Sequence, residues 1–160
     1  MPGPLLLVDT NVWMCNYLPT RTGHAETRTF LHAAWEKEAH LLYPAPILID
    51  VFYLLGAEYK RLVRAEKGVL GQDDALAINE LAWGCVQNMR EVATAVGIDD
   101  SDLWLACKYK GLSTDLEDNV VFAAAQRCKA DHIVTFDKAL IQRAPVSAML
   151  PSDMCKLLHL

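Results

Sequence analysis

Two short apolar runs near opposite ends of the chain each close on an aspartate. Leu5–Val8 leads into Asp9-Thr10-Asn11, and His132–Thr135 leads into Phe136-Asp137. Runs this short, bounded by turn formers such as Pro2, Gly3 and Pro4, read as buried strands. Stretches of helical spacing lie between them. Phe30, Leu31, Ala34 and Trp35 recur as a helix would place them over about 25–38. His40–Tyr43 is a further strand, closed by Pro44 and Pro46. Ile47, Val51, Leu54 and Leu55 mark one face of a helix to about Arg64, with Pro46 near its start. Residues 73–88 form a third helix containing Leu76, Leu81 and Trp83, and Glu91–Val96 reads as a strand. A helix over 99–110 has Asp99 or Ser101 as N-cap and stops at Gly111, and Ser113-Thr114-Asp115 opens another running to about Lys129. A short helix, an edge strand at Val146–Met149 and a last helix from Ser152 complete the chain. Alternating short strands and helices predict one α/β domain over 1–160 with a mostly parallel sheet.

Composition narrows the function. No apolar run nears the roughly 20 residues that span a bilayer, and no signal peptide is evident. The five cysteines (Cys15, Cys85, Cys107, Cys128, Cys155) include no Cys-x-x-Cys pair, which argues against a zinc ribbon or a disulfide scaffold. A cytoplasmic protein with free thiols and no membrane contact is expected. The net charge of −5 removes nucleic-acid binding by bulk charge and leaves only a local patch. The densest such patch is Tyr59-Lys60-Arg61, Arg64 and Lys67, which is either a solvated helix face or a grip on phosphates. Trp13, Trp35, Trp83 and Trp104 are assigned to core or dimer contacts. Phosphate loops, dinucleotide-binding turns, serine-hydrolase elbows and His-Glu-x-x-His are absent.

Four acids stand where acids are costly. Asp50, three residues after Ile47 and four before Leu54, falls inside an apolar stripe. Asp118 heads the face carrying Val121, Phe122 and Ala125. Asp9 and Asp137 close strands, and in parallel sheets the carboxyl ends of strands form the ligand edge. Each has a structural alternative: Asp9 as a turn former, Asp118 as a dipole partner beside the N-cap Asp115, and Asp137 as a cap. Together they describe a carboxylate cluster, which a hard divalent cation such as Mg²⁺ or Mn²⁺ would neutralise.

Leu7-Val8-Asp9-Thr10-Asn11-Val12 resembles the opening of a PIN domain, the fold of VapC-type toxin ribonucleases. Asp115-Leu116-Glu117-Asp118-Asn119, Ala123-Ala124-Ala125 and Ala130–Asp137 resemble that family's C-terminal signature, and Pro46–Leu55 its middle helix. The resemblance implies a PIN-like three-layer α/β/α fold and Mg²⁺- or Mn²⁺-dependent hydrolysis of RNA. It places Asp9, Asp50, Asp118 and Asp137 on the family's acidic quartet. Asn11 and Thr135 fall beside it, and Asp115 near it. The second acid is usually Glu, so Asp50 is one methylene short and would reach a metal through water; the fourth position varies. Lys60, Arg61 and Arg64 would hold the RNA backbone. Proteins of this kind are commonly homodimers, silenced by a small antitoxin protein. Two other classes fit parts of the sequence: a non-catalytic PIN-like RNA- or protein-binding module, and a haloacid-dehalogenase-type phosphatase using Asp9. The latter wants an acid two residues on, where Asn11 stands.

Overall fold

In a computed structural model that describes residues 2–159, the order is β1 (Leu5–Val8), α1 (Thr10–Tyr17), α2 (His24–Glu36), β2 (His40–Pro44), α3 (Ala45–Lys67), α4 (Gln72–Val92) and β3 (Thr94–Val96). Then come α5 (Asp100–Lys108), a 3₁₀ turn (Tyr109–Gly111), α6 (Leu116–Arg127), β4 (His132–Val134), α7 (Lys138–Arg143), β5 (Ala148–Met149) and α8 (Pro151–Leu158). The strands form one sheet in the order β3-β2-β1-β4-β5, and every pairing is parallel. β1 is central, with Leu7 beside Leu42 on one flank and Ile133 on the other. Leu6, Leu7 and Val8 are fully buried, as a strand must be when helices cover both faces.

Winding runs outward from β1 to β2 and β3, then returns to β4 on the opposite flank of β1. Right-handed crossovers place the helices of the two halves on opposite faces. Accordingly α1 packs on α2 and α3, α3 on α4, and α5 on α6, while the C-terminal α8 crosses back to pack on α2. The reversal between β1 and β4 opens a crevice at their carboxyl ends, the usual ligand position in such sheets.

Local chemistry fixes the boundaries. Pro46 lies in the first turn of α3, and Gly68 (φ 80°) ends it in the left-handed conformation, its N–H bonding Arg64 O. Asp99 and Asp102 form a reciprocal capping box at α5. Asp115 caps α6 and Asp137 caps α7.

Several expectations need correcting. No helix is expected directly after β1, yet Thr10–Tyr17 forms α1 with Asp9 as its N-cap, in place of the turn that is one reading of Asp9. The strand expected over Glu91–Val96 is present but shorter: Glu91 and Val92 complete α4, whose amphipathic repeat continues through Met89, and Thr94–Val96 is strand. Val146–Met149 shortens to Ala148–Met149. Ile47, Val51 and Leu55 form the buried seam of α3, whereas Leu54 is exposed; Leu76 and Leu81 of α4 are exposed too. Of the four tryptophans only Trp13 is core, its indole N–H donating to Val8 O at 3.2 Å; Trp35, Trp83 and Trp104 face outward. Among the described residues no helix is long and apolar enough to cross a membrane.

Candidate active site

A hydrogen-bonded network at the ends of β1 and β4 builds one part of the crevice. Asp9 is 7 % exposed and Thr135 fully buried. Thr135 Oγ1 donates to Asp9 Oδ2 at 2.8 Å and accepts from the Asp137 backbone N–H at 3.0 Å. Asn11 Nδ2 donates to Asp9 Oδ2 at 3.1 Å and Thr135 Oγ1 at 3.0 Å, while its Oδ1 accepts from Phe136 N at 3.0 Å. The other Asp9 oxygen accepts from Thr10 N at 2.8 Å. Asn11 and Thr135 thus fix one rotamer of Asp9 and tie β1 to the segment after β4.

Asp137 Oδ1 accepts from Ala139 N at 2.8 Å and Leu140 N at 3.0 Å; its cap therefore engages one oxygen. Asp118, in the first turn of α6, accepts from Ser113 Oγ at 2.9 Å. Ser113 in turn accepts from Asp115 N at 3.1 Å, and its carbonyl accepts from Asn119 Nδ2 at 2.8 Å. Asp115 itself is spent on Glu117 N at 2.8 Å. Arg143 Nη2 lies 3.8 Å from Asp118 Oδ2.

Asp50 sits beside the buried seam of α3 and is half-buried. It approaches Glu117 closely enough that its charge raises the Glu117 carboxyl. Glu117 also accepts from Thr10 Oγ1 at 3.3 Å. It was not among the expected site residues, although its place between Asp115 and Asp118 in a first helical turn was a signal. Arg143 was missed too, because spacing gives no sign that a side chain at a helix end turns back.

The electrostatics join these acids into one group. Burial raises the Asp9 carboxyl above its ordinary value, and the charges of Asp118 and Asp137 add to that against the hydrogen bonds from Thr135 and Thr10. Burial, then the Asp50 charge, raises Glu117. Burial raises Asp118, with Asp115 and Asp137 adding to it and Ser113 and Arg143 opposing. In each case burial is the largest cause, and the neighbouring carboxylates add to it in the same direction. Among the described residues no three His, Cys, Asp or Glu side chains already close into a ligand set. The donors are nonetheless all hard oxygens, the kind that suits Mg²⁺ or Mn²⁺.

The basic patch divides. Arg61 is committed to Glu58 by two contacts at 2.6 and 3.1 Å. Lys60 and Arg64 line a groove of about 450 Å³ between α3 and α4, with Tyr53, Gly56, Ile78 and Asn79 along it.

A family model described as PIN domain matches residues 6–139. No protein of curated function matches the chain in sequence. Among solved structures the chain is similar to VapBC2 from Rickettsia felis, determined bound to a DNA fragment from its promoter: 11 % identity, 91 % of this chain and 98 % of that one, TM-score 0.64. It is also similar to FitAB bound to the IR36 DNA fragment, at 12 % identity, 92 % and 95 % coverage and TM-score 0.63. VapC20 from Mycobacterium tuberculosis, a toxin that cleaves the sarcin–ricin loop, matches at 12 % identity, 86 % and 93 % coverage and TM-score 0.56. Identities this low carry the fold alone.

Proposed function

The chain belongs to the PIN-domain family, and from that premise we propose that it is a Mg²⁺- or Mn²⁺-dependent ribonuclease hydrolysing RNA phosphodiester bonds. The observation that carries the proposal is the group of carboxylates at the crevice between β1 and β4, three of which are raised by burial and by one another. Asp9, Asp118 and Asp137 are the proposed metal ligands, with Asp50 opposite. A bound metal supplies a water of lowered pKa and neutralises charge growing on the phosphate. The chain's own residues prepare the rest. Thr135 and Asn11 hold Asp9 in one orientation, Ser113 holds Asp118, and Asp137 keeps one oxygen free beyond its cap. Glu117, raised by burial and then by the Asp50 charge, is placed to accept a proton from the attacking water, and Asp50 to orient that water. No nucleophilic side chain is needed.

Similarity to VapBC2, FitAB and the toxin VapC20 extends the proposal to a cytoplasmic toxin with a small antitoxin protein as partner. The exposed Tyr53, Leu54 and Trp83 are apolar enough to serve a homodimer. The absence of a closed ligand set among the described residues favours, as a second reading, a non-catalytic RNA- or protein-binding module. A phosphatase using Asp9 has no support here, since Asn11 spends its amide on Asp9, Thr135 and Phe136.

Calorimetric Mn²⁺ titration paired with cleavage of a single-stranded oligoribonucleotide tests the proposal. The wild type binds Mn²⁺ and cuts, a chelator stops it, and Asp9→Asn loses both while remaining folded. An Asp9→Asn protein cutting at the wild-type rate refutes the mechanism. A wild type that binds RNA but no Mn²⁺ establishes the binding module instead.

A further inference from the structure

Among the described residues Arg143 is the one cation within ion-pairing distance of the acid group. It is the last residue of α7, yet its side chain does not leave the helix end for solvent. Nε donates to Ala139 O at 3.0 Å, folding the guanidinium back along the helix. The N–H of the same Ala139 donates to Asp137 Oδ1 at 2.8 Å. One residue of α7 therefore holds an acid of the cleft through its amide and a base through its carbonyl.

The resulting contact is unlike the other arginine pairs of the fold. Arg61 meets Glu58 at 2.6 Å and Arg127 meets Asp102 at 2.7 Å, both direct hydrogen bonds. Arg143 Nη2 stands 3.8 Å from Asp118 Oδ2, beyond hydrogen-bonding range. That oxygen already accepts from Ser113 Oγ. Of its five N–H donors, Arg143 commits one to Ala139 and none directly to Asp118. Its side chain is 38 % exposed against 17 % for Asp118, so the arginine is the more accessible partner of the pair. A planar fork with unspent donors, 3.8 Å from an acid of a cleft that is otherwise acidic, matches the non-bridging oxygens of a phosphate.

We propose that Arg143 binds the RNA phosphate that lies over the acid group, and that while the cleft is empty its charge opposes a cation approaching Asp118. This inference rests on the ribonuclease reading and adds the residue that reconciles an acidic cleft with a polyanion. It gives two effects of opposite sign. Removing the positive charge strengthens Mn²⁺ binding to RNA-free protein, whereas removing the fork weakens the engagement of RNA. A merely structural arginine, holding α7 and Asp118 in place, would weaken both on removal.

The experiment compares wild type, Arg143→Gln and Arg143→Lys as full-length proteins of confirmed melting temperature. Mn²⁺ alone is titrated calorimetrically, and kcat/KM is measured on a single-stranded oligoribonucleotide over a range of salt. Arg143→Gln is expected to bind Mn²⁺ about two- to fivefold more tightly. It should lose about ten- to hundredfold in kcat/KM, and its logarithmic salt slope should become shallower by about 0.7. Arg143→Lys, keeping the charge without the fork, should match wild type in Mn²⁺ affinity and fall between the two in kcat/KM. Weaker Mn²⁺ binding by Arg143→Gln overturns the inference, as does an unchanged salt slope. A wild type that neither binds Mn²⁺ nor cuts RNA overturns the ribonuclease reading itself, an outcome separate from a variant indistinguishable from an active wild type.

Discussion

Thr135→Val isolates the hydroxyl that holds the site together. Valine has nearly the same shape, so the fully buried pocket stays filled, and the change is one of hydrogen bonds. The Thr135 hydroxyl donates to a carboxylate oxygen 2.8 Å away, and a bond to a charged group is worth about 1.5–3 kcal/mol. It also accepts from Asn11 and from Asp137 N. Asn11 Nδ2 retains Asp9, but the Asp137 amide loses its partner, adding roughly 1 kcal/mol. The extra methyl returns about 0.8 kcal/mol. The net cost is about 2–3 kcal/mol, a fall of roughly 5–10 °C in melting temperature for a chain of this size. Thr135→Ser keeps the hydroxyl, loses only the methyl and should cost about 1 kcal/mol. Urea or thermal unfolding at pH 7 with chelator present measures both. A valine variant as stable as wild type, or a serine variant less stable than the valine one, refutes the reasoning.

Asp9 also sets a pH dependence. Its folded pKa lies above the ordinary 3.8, so the folded state holds that proton more tightly than the unfolded chain. The penalty for ionising Asp9 is therefore absent below the ordinary value and grows as pH rises through the folded one. Unfolding of chelated wild type and Asp9→Asn at a series of pH values should show the variant gaining relative stability as pH rises; a constant difference contradicts the burial of that charge. In RNA binding, the double change Lys60→Gln and Arg64→Gln should weaken every sequence by a similar factor and make the salt slope shallower by about 0.7 per lost contact on a single strand. Arg61→Gln, whose guanidinium is committed to Glu58, should change it little, as anisotropy titrations across salt will show.

Much of this architecture was readable because it rests on local signals. Leu5–Val8 ends at Asp9 and His132–Val134 is followed by Thr135, so two parallel strands deliver an acid and a hydroxyl to one edge whatever lies between. Asp115, Asp118 and Asp137 stand in first helical turns that their own caps announce. What was hidden depends on tertiary packing. The helix after Asp9 lacks a clean apolar stripe, since Val12 through Asn16 are all buried, and burial on every side erases the period that would betray it. Leu54, Leu76, Trp83 and Trp104 look like core by composition, but their faces are decided by how α3 meets α4 and α5 meets α6. Glu117 and Arg143 join the site through turns of backbone and side chain that no spacing rule encodes.

The bond between Thr135 and Asp9 spans 126 positions. During synthesis, Asp9 emerges long before its hydroxyl partner has been translated. Until β4 slots in beside β1, that carboxylate lacks the hydroxyl donor of Thr135 that helps fix its rotamer, and Asp118 and Asp137 have not yet arrived. Pairing so distant is slow to form, because the intervening loop must close first. The cleft is thus a late product of folding, since its two ends meet only when β4 pairs with β1. A protein built this way assembles its fold and its cleft in one step: the strand that pairs with β1 on its second flank also delivers the hydroxyl that holds Asp9.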